Sequence, residues 1–243
     1  MKHLKFVPNL LTLLNLLSGI FAILLASKGL LAEAAYLIFI AALFDFADGF
    51  AARLLKAYSP IGAQLDSLAD MVSFGVAPGF ILYRLILMSH GRMEVLFFGI
   101  DIIPLLAFIV PLFAALRLAK FNIDERQTDS FIGLPSPAAA LLIASLPLIR
   151  EQLYESQSLS YMITTNTYFY LGIAFATSIL MVAELPLFSL KFKTFNLKNN
   201  EIRWFFLVLS VGLLVFFQAV AIPFIILSYL FLSLVVFLVD LQQ

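Results

Sequence analysis

Four aspartates stand close together in a chain that is otherwise strongly apolar. They are Asp45, Asp48, Asp66 and Asp70, in the segment DFADGFAARLLKAYSPIGAQLDSLAD that runs from position 45 to position 70. Ionisable side chains inside apolar membrane segments are energetically costly, and they are by default candidates for a functional role. The four carboxylates are therefore the first candidates for a functional site in this chain.

The spacing of the aspartates places each pair on one face of a helix. Asp45 and Asp48 are three positions apart and Asp66 and Asp70 are four apart, and residues at these separations are neighbours on a helix surface. Pro60 interrupts the helical pattern between the pairs, because the residue before a proline disfavours the helical conformation. A hairpin would turn the pairs towards each other, and nearby small residues would let its helices approach closely. These small residues are Ala47, Gly49, Ala51, Ala52, Gly62, Ala63 and Ala69.

The arrangement favours chemistry on phosphate with divalent metal ions. Four carboxylates in one pocket repel each other, and they cannot all stay ionised unless cations neutralise them. Carboxylate oxygens suit hard ions such as Mg²⁺, Mn²⁺ or Ca²⁺, and paired ions about 4 Å apart commonly clamp a phosphoryl group. Gly49 and Gly62 would admit a ligand close to the backbone, and Arg53 could hold a phosphate oxygen. A pathway for ions or protons is the alternative that these residues leave open.

The whole chain has the composition of a membrane protein. Its 243 residues are 63% hydrophobic and 12% charged, with a mean hydropathy of +1.04, whereas soluble domains are about half apolar and a quarter charged. The absence of cysteine excludes disulfides, zinc–thiolate sites and a thiol nucleophile. The net charge is zero, and we expect no nucleic-acid partner.

Eight apolar segments are candidates for membrane spans, for which a helix needs about 20 mostly apolar residues. They cover residues 8–28, 32–56, 62–89, 95–121, 135–150, 166–188, 202–218 and 221–240. We predict an all-α integral membrane protein with about eight transmembrane helices. Residues 1–190 would form a core of six spans, and residues 191–243 an additional C-terminal helical hairpin of two spans.

The distribution of Lys and Arg predicts that both termini lie in the cytoplasm. With the N-terminus inside, four basic residues lie on the outer side, and 11 lie on the cytoplasmic side, where such residues are enriched. The outer four are Lys28, Arg84, Arg92 and Arg150; the inner ones are Lys2, Lys5, Arg53, Lys56, Arg117, Lys120, Arg126, Lys191, Lys193, Lys198 and Arg203. The aspartates then lie at the cytoplasmic ends of the second and third spans. His90 falls on the outer side, so an aspartate would serve as the general base.

The aspartate segment resembles the sequence motif of the CDP-alcohol phosphatidyltransferases, D-x2-D-G-x2-A-R-x8-G-x3-D-x3-D. Every fixed position of the motif is occupied in this chain, and eight fixed residues at fixed spacing are highly specific. They are Asp45, Asp48, Gly49, Ala52, Arg53, Gly62, Asp66 and Asp70. The motif covers only the second and third spans, although the surrounding multi-helix membrane architecture also fits this family.

This resemblance implies a reaction, its cofactors and the roles of the motif residues. Two divalent cations, Mg²⁺ or Mn²⁺, would be held by all four aspartates, with Asp70 also acting as the general base. An acceptor alcohol would attack the lipid-side phosphate of CDP-diacylglycerol and CMP would leave, with Gly49 and Arg53 facing the nucleotide and its phosphates. The family also implies a homodimer, in a bacterial-type cytoplasmic (inner) membrane with the active site facing the cytoplasm.

Three further stretches are similar to the phosphatidylserine synthase subfamily. They are PIGAQLDSLADMVSFGVAP at 60–78, RLAKFN at 117–122 and FIGLPSPAAA at 131–140. This resemblance implies L-serine as the acceptor and phosphatidylserine as the product. Relatives that accept glycerol phosphate, inositol phosphate or choline are the neighbouring alternatives, and an ion-coupled membrane transporter is the alternative from another functional class.

Charged residues before and after position 122 agree with a zwitterionic acceptor. A phosphate-bearing acceptor would favour several Arg or Lys near the cleft, whereas here the cations are mixed with acids. The cations are Arg117, Lys120 and Arg126, and the acids are Asp124, Glu125 and Asp129. We predict that Arg117 binds the serine carboxylate and that Asn122 or Ser136 orients the polar substrate. Anchoring of the topology is the alternative role for Arg117 and Lys120.

The first span contributes two further candidates for binding the CDP-lipid. Asn9 and Thr12 lie one helical turn apart at its inner end and could border the nucleotide together with Gly62. Asn9 could equally be a plain helix N-cap. Residues 1–7 mix Lys2, His3 and Lys5 with apolar side chains, so this segment could lie on the anionic membrane surface.

Overall fold

The computed structural model describes residues 6–124, 131–154, 159–187 and 200–240, and helices account for most of them. The α-helices are α1 (Val7–Ser27), α2 (Leu31–Leu54), α3 (Pro60–Asp70), α4 (Ala77–Leu87), α5 (Ile109–Ile123), α6 (Ser136–Tyr154), α7 (Leu159–Thr164), α8 (Thr167–Val182), α9 (Glu201–Phe217) and α10 (Ala221–Asp240). A π-helix (Met71–Val76) joins α3 to α4, and 3-10 turns at Pro104–Phe108 and Gln218–Val220 precede α5 and α10.

Two short antiparallel strand pairs complete the described elements. Strand β1 (Leu96–Phe97) pairs with β2 (Ile100–Asp101), and β3 (Phe131–Ile132) pairs with β4 (Pro186–Leu187). The second pair ties the segment before α6 to the segment after α8, with Ile132 opposite Pro186. Gly133 allows this connection: its φ is +75°, and a Cβ there would lie 2.6 Å from the carbonyl oxygen of Met181.

Within the described ranges, five helical segments are long and apolar enough to cross a membrane. They are Val7–Ser27, Leu31–Leu54, Pro60–Leu87, Pro104–Ile123 and Glu201–Leu238, and Thr167–Val182 is a shorter apolar helix. This agrees with an all-α membrane protein. The span count of eight, the orientation of the termini and the division into residues 1–190 and 191–243 stay predictions.

Two predicted segment boundaries differ from the structure. The segment predicted at 95–121 begins with the β1–β2 hairpin, and helix starts only at Pro104, because the Asp101 carboxylate accepts hydrogen bonds from the backbone of Val95 and Ile103. The segment predicted at 166–188 ends its helix at Val182, because Ala183 is extended and leads into β4. Hydropathy registers neither the hydrogen bonds of Asp101 at the first boundary nor the β3–β4 pairing at the second.

The predicted turn between the aspartate pairs is present. Helix α2 ends at Leu54 and α3 begins at Pro60, a position where the missing N–H costs nothing. The hydroxyl of Ser59 caps α3 by accepting a hydrogen bond of 3.0 Å from the backbone N–H of Gly62. The turn therefore redirects the chain so that Asp66 on α3 comes close to Asp45 and Asp48 on α2.

Helix ends that carry polar groups meet at one end of the helical body. Contacts there join the start of α1 to α2 and α3, the end of α5 to α3, and the end of α5 to the start of α6. At the opposite end, Arg84 approaches Gly29 and Ser89 contacts Thr167, which joins α4 to the α1–α2 turn and to α8. The four aspartates belong to the first of these two ends.

Small residues set the helix spacing in the core between these ends. Gly19 of α1 faces Ser73, and a Cβ on Gly19 would lie 2.8 Å from the Cα of Ser73. Gly79 of α4 faces Pro111 of α5 at a comparable 2.9 Å. Small residues at helix contacts let backbones approach closely where lipid provides no hydrophobic driving force. Fully buried alanines share this interior: Ala22, Ala26, Ala34, Ala35, Ala41, Ala77, Ala107, Ala114, Ala139, Ala140, Ala144 and Ala174.

Candidate active site

Three of the aspartates form a compact carboxylate cluster. One ligand oxygen from each of Asp45, Asp48 and Asp66 lies within 4.8 Å of the other two. Asp48 is buried, and Asp45 and Asp66 are half-buried. Asp70 adjoins the cluster, because its carboxyl group lies close enough to those of Asp45, Asp66 and Asp48 to interact with them electrostatically. The fold thus brings together the two pairs that the sequence places on separate helices.

Helix α1 supplies the polar partners of two aspartates. The Thr12 hydroxyl donates a hydrogen bond of 2.6 Å to Oδ2 of Asp48. The side-chain amide of Asn15, one turn further on, donates a hydrogen bond of 3.2 Å to Oδ1 of Asp70. The backbone carbonyl of Asn15 in turn accepts a hydrogen bond from the Ser73 hydroxyl in the π-helix. Helix α1 therefore fixes the positions of Asp48 and Asp70 relative to each other.

Asn15 and Ser73 are residues of this end that the sequence analysis missed. The sequence carries a pattern that points to Asn15, since Asn9, Thr12, Asn15 and Ser18 recur every three residues in an apolar helix. Three of them are buried, with Asn15 at 0% exposure. Buried polar groups of this kind require hydrogen-bond partners. Ser73 follows Asp70 by three positions, but only the contact with α1 reveals its role.

The residues predicted to contact the CDP-lipid differ in their neighbours and in their exposure. A Cβ on Gly62 would lie 3.0 Å from Oδ1 of Asn9, so the missing side chain also makes room for α1. Gly49 has no neighbouring heavy atom within 4 Å of such a Cβ, which leaves open space beside Asp48. Arg53 is exposed at the end of α2. Thr12 is committed to Asp48, and the binding roles of all these residues stay predictions.

Arg117 is a buried cation beside the carboxylates. It is 7% exposed, donates a hydrogen bond of 3.1 Å to the Ser136 hydroxyl and is attracted electrostatically by Asp70 and Asp45. Its guanidinium carbon lies 5.5 Å from the centre of the Phe121 ring, within the range of a cation–π contact. Its Nε has no hydrogen-bond partner among the described residues. Arg117 and Ser136, both predicted as acceptor residues, are thus brought together at the cluster.

Asn122 lies further out than the other predicted acceptor residues. It is exposed at the end of α5, and its amide nitrogen donates a hydrogen bond of 3.0 Å to the Ser67 hydroxyl. Because Ser67 adjoins Asp66, this contact holds α5 against the aspartate-bearing helix. Lys120 is exposed and Asp124 is half-buried, whereas Glu125, Arg126 and Asp129 lie outside the described residues. The basic residues predicted at positions 2, 5, 191, 193 and 198, together with His3, also lie outside them.

The cluster fits hard divalent cations. Oδ1 of Asp66 is buried, and no hydrogen bond reaches it from any residue that the structure describes. Leaving a buried acceptor unsatisfied is costly, and a bound cation would satisfy it. All the grouped ligand atoms are carboxylate oxygens, a donor set that suits Mg²⁺ or Mn²⁺. Four carboxylates beside a single buried guanidinium leave an excess of negative charge that such cations would neutralise.

Comparisons with known proteins agree with this geometry. A family model described as CDP-alcohol phosphatidyltransferase matches residues 5–241. A CDP-diacylglycerol–serine O-phosphatidyltransferase of Helicobacter pylori (strain J99) is 33% identical over 215 residues, 88% of this chain and 82% of that protein. A protein of the same name from Bacillus subtilis is 36% identical over 143 residues, 59% of this chain and 76% of that protein.

An archaeal relative has the same name. The CDP-diacylglycerol–serine O-phosphatidyltransferase of Methanocaldococcus jannaschii is 38% identical over 151 residues, which are 62% of this chain and 65% of that protein. The family match extends over nearly the whole chain and includes every aspartate of the cluster. The chain therefore belongs to the CDP-alcohol phosphatidyltransferase family.

Proposed function

We propose that this chain transfers the phosphatidyl group of CDP-diacylglycerol to the hydroxyl of L-serine, giving phosphatidylserine and CMP. The observation that carries the proposal is the convergence of four carboxylates and the buried Arg117 at one end of the helical body. The carboxylates suit a metal-bound pyrophosphate, and the guanidinium suits the carboxylate of an amino acid. The names of the bacterial and archaeal relatives support serine as the acceptor.

Asp45, Asp48, Asp66 and Asp70 would hold two divalent cations, Mg²⁺ or Mn²⁺. Bound cations would neutralise charge on the pyrophosphate and make its lipid-side phosphorus a better electrophile. The protein's own contribution is to keep the carboxylates close together against their repulsion. The hydrogen bonds of Thr12 to Asp48 and of Asn15 to Asp70 serve that purpose.

Asp70 would accept the proton of the serine hydroxyl. As the proton moves to the Asp70 carboxylate, the serine oxygen forms a bond to the lipid-side phosphorus, and the bond from that phosphorus to the CMP oxygen breaks. The Asn15 amide would orient Asp70 for this role through its hydrogen bond to Oδ1. A positioned general base of this kind contributes roughly 10² to 10⁴-fold to the rate.

Arg117 would bind the serine carboxylate, with Ser136 and Asn122 as further polar contacts. The Arg117 Nε, which has no partner among the described residues, is a donor free for such a ligand. Gly49, Arg53, Gly62, Asn9 and Thr12 would border the CDP moiety. In this proposal the N- and C-termini lie in the cytoplasm, the active site faces the cytoplasm from the inner membrane, and the enzyme is a homodimer.

A comparison of acceptors tests the proposed function. Purified protein in detergent, with CDP-diacylglycerol and Mg²⁺ or Mn²⁺, should convert labelled L-serine into lipid-soluble label and release an equal amount of CMP. Glycerol 3-phosphate, inositol phosphate and choline, offered at the same concentration, should give little product. Product with one of these alcohols and none with serine would move the chain to a neighbouring branch of the family. Ion flux in reconstituted vesicles without CMP release under any acceptor would favour a transporter.

A further inference from the structure

A second polar cavity lies at the end of the helical body opposite the aspartates. Its volume is about 290 Å³ and it is lined by Gly29, Leu31, Met88, Pro147, Arg150, Glu151 and Tyr154. Gly29 follows Asn15 by 14 positions along α1 and its end, which corresponds to roughly 20 Å at about 1.5 Å per residue. The cavity is therefore separate from the carboxylate cluster, and the proposed reaction does not use it.

One guanidinium group lines this cavity, and a second lies next to a residue that lines it. Arg150 lines it from α6, and one of its nitrogens lies 3.8 Å from the sulfur of Met88. Arg84 of α4 is close to Gly29, because its Nη2 would lie 3.2 Å from a Cβ placed on Gly29. Gly29 has a φ of +84° and no side chain, so the α1–α2 turn leaves room for the Arg84 head group beside this lining residue.

Neither guanidinium group forms a recorded ion pair within the described part of the chain, where Arg92 pairs with Glu94 and Asp101. The Arg84 Nε is buried and has no hydrogen-bond partner there. The Tyr170 hydroxyl, in a side chain only 1% exposed, also has none, and it lies close enough to Arg150 to interact with it electrostatically. Such buried unpaired groups are costly unless a ligand satisfies them.

The cavity combines these donors with apolar walls. Leu31 and Pro147 are buried and line it on the side of α2 and α6. Glu151 also lines the cavity and adds one carboxylate next to Arg150. Guanidinium groups match the geometry and charge of phosphate oxygens, while the apolar walls would receive the carbon atoms attached to such a phosphate. A free anion would leave the apolar walls without a partner, so an amphipathic ligand fits better.

We infer that this cavity binds the phosphate ester of a membrane-lipid headgroup, with Arg84 and Arg150 as its phosphate ligands and Tyr170 as a supporting donor. A lipid bound there would link the α1–α2 turn, the end of α4 and the end of α6. Since a ligand that binds only the folded state stabilises it by mass action, the lipid would raise the thermal stability of the protein without touching the aspartates.

The test measures thermal unfolding of the full chain in detergent with three probes. These are short-chain phosphatidylglycerol, diacylglycerol with the same chains, and inorganic phosphate. Phosphatidylglycerol should raise Tm in a saturable manner, and diacylglycerol should not, because it has no phosphate. Arg84→Gln and Arg150→Gln should each raise the half-saturating concentration of phosphatidylglycerol about tenfold or more, as expected for a lost charged hydrogen bond.

Lys28→Gln is the matched control, since it removes one exposed positive charge at the same end without changing the cavity. Its response to phosphatidylglycerol should equal that of the unmodified protein. Each variant is compared with its own lipid-free Tm, so a loss of intrinsic stability does not affect the result. An equal, arginine-dependent shift with inorganic phosphate would support the same phosphate site with a free anion as its ligand. No shift with phosphatidylglycerol, a shift unaffected by both arginine changes, or a shift with diacylglycerol would overturn the inference.

Discussion

Asp70 differs from the other three aspartates in its local surroundings. It is the last residue of α3, it is 8% exposed, and one of its oxygens accepts the Asn15 amide. The other three form the tight ligand group, whereas Asp70 sits beside it with Arg117 near. This position, beside the proposed metal ligands and a cation that would suit the acceptor, supports the proposal that Asp70 accepts the proton.

We expect Asp70→Asn to reduce turnover by at least about 10²-fold, because the change removes a proton acceptor and one charged metal ligand. CDP-diacylglycerol should still bind, with lower affinity. CMP release measures the first effect and calorimetric titration with CDP-diacylglycerol the second. Glu33→Gln, which neutralises an exposed carboxylate in the first turn of α2, should change neither. Turnover near the normal level in Asp70→Asn would refute the assignment of the base.

Asn15→Leu should lower kcat by about 10- to 100-fold with little change in either KM. The substitution keeps the approximate volume but removes the hydrogen bond to Asp70, and a hydrogen bond to a charged group contributes about 1.5–3 kcal/mol. Steady-state kinetics with both substrates measures the effect. Ser18→Ala is the control, because Ser18 lies one turn further along α1 and donates only to the carbonyl of Leu14. Equal kinetics in the two variants would show that Asn15 does not position Asp70.

Arg117→Ala should raise the KM for serine far more than the KM for CDP-diacylglycerol, because it removes the proposed partner of the serine carboxylate. Truncating one partner of a buried charge pair costs about 2–5 kcal/mol, so the serine KM should rise by at least tenfold. Lys120→Ala removes an exposed cation three positions later and should leave both constants unchanged. Equal increases in both KM values for Arg117→Ala would indicate that Arg117 has only a topological or structural role.

At the scale of elements, the contact between α1 and the π-helix decides whether the site forms. Ser73 lies against Gly19 and donates to the Asn15 carbonyl, so one side chain fixes both the spacing and the axial position of α1. The π-helix Met71–Val76 follows Asp70 directly, and π-helical turns often occur at functional sites. The extra residue of this turn changes the direction of Ser73 relative to a regular α-helix.

Gly19→Ala should therefore lower both stability and turnover. An added Cβ would lie 2.8 Å from the Cα of Ser73, and overpacking of this kind costs about 1–3 kcal/mol. Moving α1 outward would also displace Thr12 and Asn15 from their aspartates. Thermal unfolding and CMP release measure the two effects. Gly172→Ala, at a position with no atom within 4 Å of the new Cβ, should change neither, and an unaffected Gly19→Ala would contradict the importance of this contact.

At the scale of the whole molecule, the helical body has two chemically different ends. One carries the aspartates, Arg117 and the starts of α1, α3 and α6; the other carries the α1–α2 turn, the end of α4 and the arginine-lined cavity. The proposed topology places the first end in the cytoplasm, where serine would bind and CMP would be released, and the second at the outer face. The orientation of the chain thus determines which leaflet each site meets.

The absence of cysteine makes this orientation directly testable. Single substitutions Ser27→Cys and Tyr58→Cys place a thiol at an exposed position at each end without changing any Lys or Arg. In intact bacterial cells, a membrane-impermeant maleimide should label Ser27→Cys and should label Tyr58→Cys only after permeabilisation, because the positive-inside rule places position 58 in the cytoplasm. The reverse labelling pattern would invert the proposed topology.

The carboxylate cluster was largely predictable from the sequence, and its support from α1 was not. The spacing of Asp45, Asp48, Asp66 and Asp70 around Pro60 predicts two facing pairs, because helix periodicity and the proline rule act over short distances. The hydrogen bond from Asn15 joins positions 55 apart, and no local rule determines such a pairing. The boundary error after residue 182 has the same cause, because β4 pairs there with the distant β3, whereas the error near residues 95–103 comes from short-range hydrogen bonds of Asp101 that hydropathy does not register.

By itself, the sequence determined the membrane-protein class, the grouping of the four aspartates and the family, because composition, helical periodicity and fixed motif spacing are local properties of the chain. Only the tertiary structure decided which residues surround these aspartates: Asn15 at Asp70, Arg117 with Ser136, and Gly19 against Ser73. It also decided that Arg150 lines a second cavity and that Arg84 lies beside Gly29, another of its lining residues. Helix packing is responsible, since it selects partners by shape and close approach between segments far apart in sequence.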